Sequence, residues 1–122
     1  MDIKDLNTVD RHTAGAEMQV KDENGKSLDL FITVAGADSK AWRKASIEMK
    51  RLLLAGFDPV DAMADAMAKI SIGWKGFQSE GEDLAFSQES IRNLYVSAPY
   101  IADQVDSFMS KRANFTQSKE AS

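Results

Sequence analysis

Cysteine is absent from the sequence, which excludes disulfide bridges and thiolate metal sites and fits a reducing compartment. Long apolar runs are missing too: none approaches the ~20 residues that span a bilayer. The opening "MDIKDLNTVD" is acidic and polar, which argues against a secretory signal. Nor is there an excess of positive charge. Fifteen basic against 19 acidic residues give a net charge of −4, whereas nucleic-acid binding usually requires a basic field. The basic residues look dispersed, with Arg43, Lys44, Lys50 and Arg51 on one predicted helix and Lys111 and Arg112 near the end. That leaves room for a local patch only, and protein is the more natural partner.

What is present is an ordinary globular composition, 43% hydrophobic and 28% charged, over 122 residues. The length predicts one domain. Residues 1–14 carry only Ile3, Leu6 and Val9 as large apolar residues, without a period, and read as a flexible arm. Residues 15–115 make the domain, and 116–122, "TQSKEAS", a polar tail.

Two alternating segments, "AEMQVK" and "LDLFITV", flank "DENGK" and predict a β-hairpin. A two-residue Asn24-Gly25 turn would oppose apolar to polar side chains. A three-residue loop, with Asp22 opposite Lys26 and Gly25 in the left-handed position, instead pairs Val20 with Leu28 and Met18 with Leu30. It leaves Phe31 on the polar side, to cover a neighbouring element or a partner. Helix signals follow. Asp38 or Ser39 caps a helix running to Ala55, with Gly56 as terminator and Trp42, Ala45, Met49, Leu52 and Leu53 on its inner stripe. Ile47 and Leu54 stand outside that stripe. Asp58 and Pro59 open a second helix, with Val60, Met63, Met67 and Ile70 on one face and Gly73 at its end. Ser87 caps a third, carrying Ile91, Leu94 and Tyr95. Pro99 starts a last one, carrying Ile101, Val105, Phe108 and Met109. The predicted fold is α+β, an N-terminal hairpin packed on a bundle of about four helices.

The sequence holds no evident catalytic constellation. The only histidine, His12, lies in the polar arm and reads as a solvated imidazole. "GWKG" lacks the strand–loop–helix setting of a phosphate site. Asp58, Asp61 and Asp65, and then Glu80, Glu82 and Asp83, read as solvated acidic faces rather than an acid–base pair or a cation loop. No enzymatic activity, cofactor or metal is expected.

The most unusual stretch is "GWKGFQSEGEDLAFS", residues 73–87, with three glycines, a Trp and two Phe. Its rings either fold inward and staple the loop over the helices, or meet a partner, or stack on bases. The first is preferred because each ring buries ~150–250 Å² when a core is near, and the third lacks a basic channel.

"WKGF", then "GEDLAFS", "NLY", a proline and "QVDSFMSKRANF" resemble, in order and spacing, a pattern found in the tail assembly chaperones of long-tailed (siphovirus-type) bacteriophages. The "VKDENGK" hairpin and "DSKAWRK" extend the similarity over about residues 15–115. The resemblance implies a non-enzymatic protein that binds the hydrophobic, helical tape-measure protein, keeps it soluble and helps recruit tail tube subunits. It also implies self-association, action in the host cell cytoplasm, absence from the mature virion, and in many cases a longer frameshifted form. A structural phage component, such as a minor tail or head–tail joining protein, is the alternative. No nucleic acid and no membrane is expected as partner. The residues expected to meet a partner are Phe31, Ile47, Leu54, Met63, Met67, Trp74, Phe77 and Phe86. Ile47, Leu54 and Phe31 lead because the predicted fold does not consume them, and the methionines offer adaptable apolar surface.

Overall fold

The structure, a computed structural model, describes residues 1–116. The fold is α+β, an antiparallel sheet packed on helices. A 3-10 turn, Ile3–Leu6, precedes helix α1 (Val9–Ala14). Strands β1 (Ala16–Lys21) and β2 (Ser27–Val34) form the hairpin. Helices α2 (Lys40–Leu54) and α3 (Pro59–Ile70) follow. Strand β3 (Ser71–Lys75) then leads into two short paired strands, β4 (Gln78–Ser79) and β5 (Glu82–Asp83). Helices α4 (Gln88–Ser97) and α5 (Pro99–Ser110) and a 3-10 turn, Arg112–Phe115, complete the described chain.

The helix starts form where the caps stand. Ser39 Oγ accepts from the Trp42 N–H, Asp58 from Val60 and Asp61, and Ser87 from Ser90, each satisfying a first-turn N–H that has no partner inside the helix. Pro59 and Pro99 occupy first turns. Gly56, at φ 89°, takes the left-handed conformation that lets the chain leave α2.

The hairpin keeps its expected faces but not its expected register. Asp22 N–H bonds to the Lys26 carbonyl and Gly25 has φ 83°, as the three-residue loop requires. Beyond that turn a bulge between Gln19 and Lys21 slips the pairing by two, so Met18 faces Ile32 rather than Leu30. A slip of two preserves sidedness, and Ala16, Met18, Val20, Ile32 and Val34 all lie buried against the helices.

Two expectations are corrected. The sheet has a third strand: α3 ends at Ile70, and Ser71–Lys75 pairs antiparallel with β2, making β2 central in the order β1-β2-β3. The four expected helices are α2 to α5, and among the described residues the short α1 adds to them. The arm is partly ordered packing, since α1 docks through His12, whose carbonyl accepts from the Gly36 N–H. Of the 116–122 tail, residues 117–122 lie outside the described residues.

The centre of the molecule is α3, which packs against α2, α4 and α5. Its alanines are not filler between acidic residues. Ala62, Ala64, Ala66 and Ala68 are buried together with Met67 and Ile70, and their small side chains let three helices approach on different sides. A larger side chain there forces neighbours off their rotamers. Ala64→Leu is expected to cost about 2 kcal/mol in urea-unfolding free energy. Beside it, Ser71 Oγ donates to the Met67 carbonyl and shares a 2.8 Å hydrogen bond with the Tyr95 hydroxyl. Burial pushes the Tyr95 phenol well above its ordinary range, so it stays neutral in that contact.

Candidate partner-binding surface

The outer face of α2 and its turn into α3 leave apolar side chains in water. Leu54 is 90% exposed and Ile47 65%, with Phe57 at 57%. Leu53 and Val60, expected on inner faces, are also exposed, which corrects both placements. The cause is geometric. Only residues 55–58 separate the two helices, so they pack side by side, and among the described residues the flank of α2 that carries Ile47 and Leu54 stays exposed. Phe57 was not singled out in the sequence. Its position just after the terminator Gly56 is the signal, because its N–H donates to the Leu52 carbonyl and closes the end of α2 with Phe57 outside the helix.

Val60 also lines a groove of about 220 Å³ with Pro59, Met63, Tyr95, Pro99, Ala102 and the acidic Asp103, between α3 and the α4–α5 junction. Met63 is half-buried there. No residue of the 73–87 stretch borders the groove. Met67, expected to meet a partner, is fully buried in the core and has no surface to offer. It shares a face of α3 with Ile70, and both are buried.

The aromatic stretch is knotted on itself. Trp74 on β3 stacks on Phe77 with centroids 4.5 Å apart and meets Phe86 edge-on at 5.6 Å. Its indole N–H donates to the Leu84 carbonyl at 2.9 Å. All three rings are half-buried and extend the core past the sheet edge, because Trp74 pairs with the buried Ile32 and so shares its face. This is the inward staple, and it leaves the three rings only their rims for a partner. Phe31 lies on the opposite face of the sheet, half-buried, with the Lys75 ammonium 4.8 Å above its ring. It covers a neighbouring strand, as one of its two expected roles allowed.

A second, wider groove of about 470 Å³ runs between β1 and α5. The Gln104 amide accepts from the Lys21 N–H at 2.9 Å and donates to the Lys21 carbonyl at 2.7 Å, imitating a neighbouring strand. That contact blunts the β1 edge against pairing with another chain.

Among the described residues an ionisable cluster gathers around the buried His12. His12 is 1% exposed, which corrects the expected solvated imidazole. Its Nδ1 accepts from the Asp38 N–H at 2.9 Å and its ring stacks on Phe115 at 4.6 Å. The Asp38 carboxylate receives two bonds from Arg112 and one from Thr8. Those donors hold its pKa far below the usual carboxylate range. The cluster ties α1, the β2–α2 link and the C-terminal 3-10 turn together. Among the described residues no three His, Asp or Glu side chains are placed to share a metal ion. No helix among the described residues is long and apolar enough to cross a membrane.

No family, curated protein or solved structure matches the chain. The surface at the α2–α3 turn therefore carries the functional argument by its own chemistry.

Proposed function

We propose that the protein is a tail assembly chaperone of a long-tailed bacteriophage, holding the hydrophobic helical tape-measure protein in solution and bringing it to tail tube subunits. Support comes from the exposure of Ile47 and Leu54 along the outer face of α2 and of Phe57 and Val60 where the chain passes into α3, Val60 also lining a mostly apolar groove. Single exposed apolar residues are common, but several along one helix face and the turn that follows it suit the apolar face of an incoming helix. Binding is passive in this reading. Client helices lay their apolar faces on the α2–α3 turn and the groove between α3 and α5, and release follows when tube subunits compete for the client. Self-association, action in the host cytoplasm and absence from the virion belong to the same proposal.

Co-expression with the tape-measure protein tests it. The client is expected to move from the pellet to the soluble fraction, and to return to the pellet with the triple variant Ile47→Ser, Leu54→Ser, Phe57→Ser. That variant keeps the thermal stability of the parent, because exposed side chains contribute little to folding. Client solubility indifferent to the protein, or its detection at fixed copy number in purified particles, would refute the chaperone reading, and the second finding would favour a structural tail component.

A further inference from the structure

All five basic residues of α2, namely Lys40, Arg43, Lys44, Lys50 and Arg51, are exposed, and they fall on one face of the helix. With 3.6 residues per turn, positions 40, 43, 44, 47, 50, 51 and 54 recur at three- and four-residue steps, the spacing that on most helices makes the buried stripe. Here that stripe points outward and is cationic. Ile47 and Leu54, seven residues apart, run down its middle. The only acid on the helix, Glu48, lies to one side and is held by Arg51 through two bonds of 2.6 and 2.8 Å. Lys40, Arg43, Lys44 and Lys50 form no ion pair among the described residues.

So strong a local excess in a chain of net charge −4 separates this face from the rest of the molecule. Two aliphatics set seven residues apart between cations match a helical partner with an apolar seam and acidic flanks. A phosphate backbone would satisfy the cations but leave Ile47 and Leu54 against a polar strand. A membrane surface would need a wider apolar face than two side chains, and the broad apolar face of α2 is already committed to the fold.

The geometry points to the outer face of α2 as a docking site for an acidic amphipathic helix, pairing along Ile47 and Leu54 and clamped by Lys44, Lys50 and their neighbours. The inference rests on the proposed function only in taking the partner to be a helix of the client. It names the charge that helix carries.

Two synthetic helical peptides of about 21 residues, three heptads, provide the probe. Both carry the same leucine seam, one flanked by glutamates and the other by lysines. In fluorescence anisotropy the protein is expected to bind the glutamate peptide and ignore the lysine peptide. Affinity falls several-fold as salt rises from about 0.05 to 0.3 M. The pair Ile47→Ser, Leu54→Ser weakens it by about tenfold or more, and Lys44→Glu, Lys50→Glu reverses the preference. Equal binding of the two peptides, or glutamate-peptide binding unchanged by the serine pair, overturns the inference. So does binding to a DNA duplex or to anionic phosphatidylserine vesicles without binding the glutamate peptide, or a dimer of the free protein that Leu54→Ser dissolves. A client kept soluble while the glutamate peptide is ignored defeats this inference and leaves the chaperone reading standing. A bound peptide with an insoluble client does the reverse.

Discussion

Gly36→Ala lowers the unfolding free energy by about 3 kcal/mol and the melting temperature by roughly 10 °C. A Cβ built at Gly36 would stand 2.2 Å from Nδ1 of His12 and 2.5 Å from the neighbouring ring carbon, closer than nonbonded atoms can approach. The ring has no free direction in which to yield. Phe115 stacks on it, the Asp38 N–H fixes its nitrogen, and the Gly36 N–H itself is bonded to the His12 carbonyl. Interiors packed this tightly transmit strain instead of absorbing it. Gly73→Ala serves as the control, because a Cβ there meets nothing within 4 Å and the backbone is not left-handed. It should change stability by less than about 0.5 kcal/mol. The clash with His12 is isolated by a double-mutant cycle. In a His12→Ala background the added methyl occupies vacated space, and its further cost drops below about 1 kcal/mol. A Gly36→Ala protein as stable as the parent would mean that α1 does not dock against the β2–α2 link as described.

The elements that were legible in the sequence were those fixed by local chemistry. Ser39, Asp58-Pro59, Ser87 and Pro99 mark helix starts through bonds or missing donors within a few residues, and Asn24-Gly25 marks a turn in the same way. What escaped notice depends on partners far along the chain. Strand β3 is five residues with a glycine in the middle, and only its pairing with β2, some 40 residues earlier, makes it a strand. The burial of His12 is set by Gly36, Asp38, Arg112 and Phe115, none of them near it in sequence. At the candidate surface, Ile47 and Leu54 could be read because they stand outside the inner apolar stripe, amid Arg43, Lys44 and Lys50. Met67 could not be separated from Met63 by periodicity, since both lie on one face of α3 and only depth in the bundle distinguishes them. The cationic face of α2 was visible as a list of basic residues, yet its coherence needed the knowledge of which side of the helix faces water.

Acid weakens the fold through His12 in a window that begins near neutrality. In the folded chain, Nδ1 uses its lone pair to accept the Asp38 N–H, so a proton arriving there sets two donors against each other. Burial, the largest influence, lowers the imidazole pKa; the Asp38 carboxylate opposes it, and Arg112 and Arg11 reinforce it. Because the folded pKa lies below the ordinary 6.5, the unfolded chain binds the proton more readily. The stabilisation is therefore complete above about pH 6.5 and drains away as pH falls toward the folded value, at no more than about 1.4 kcal/mol per pH unit. Asp38 also favours folding at high pH, but its depressed pKa means that its contribution fails only below the ordinary carboxylate range. Asp106, raised by burial and by Asp103, acts in the opposite sense. Both carboxylates are common to parent and variant, so His12→Asn separates the histidine from them. Its amide oxygen can take the place of Nδ1 as acceptor and does not titrate. Melting temperatures measured from pH 8 to pH 5 should fall by several degrees in the parent and stay nearly level in His12→Asn. Parallel curves for the two proteins would mean that the imidazole ionises as readily in the folded chain as in the unfolded one, and would refute the effect assigned to its burial beneath Phe115.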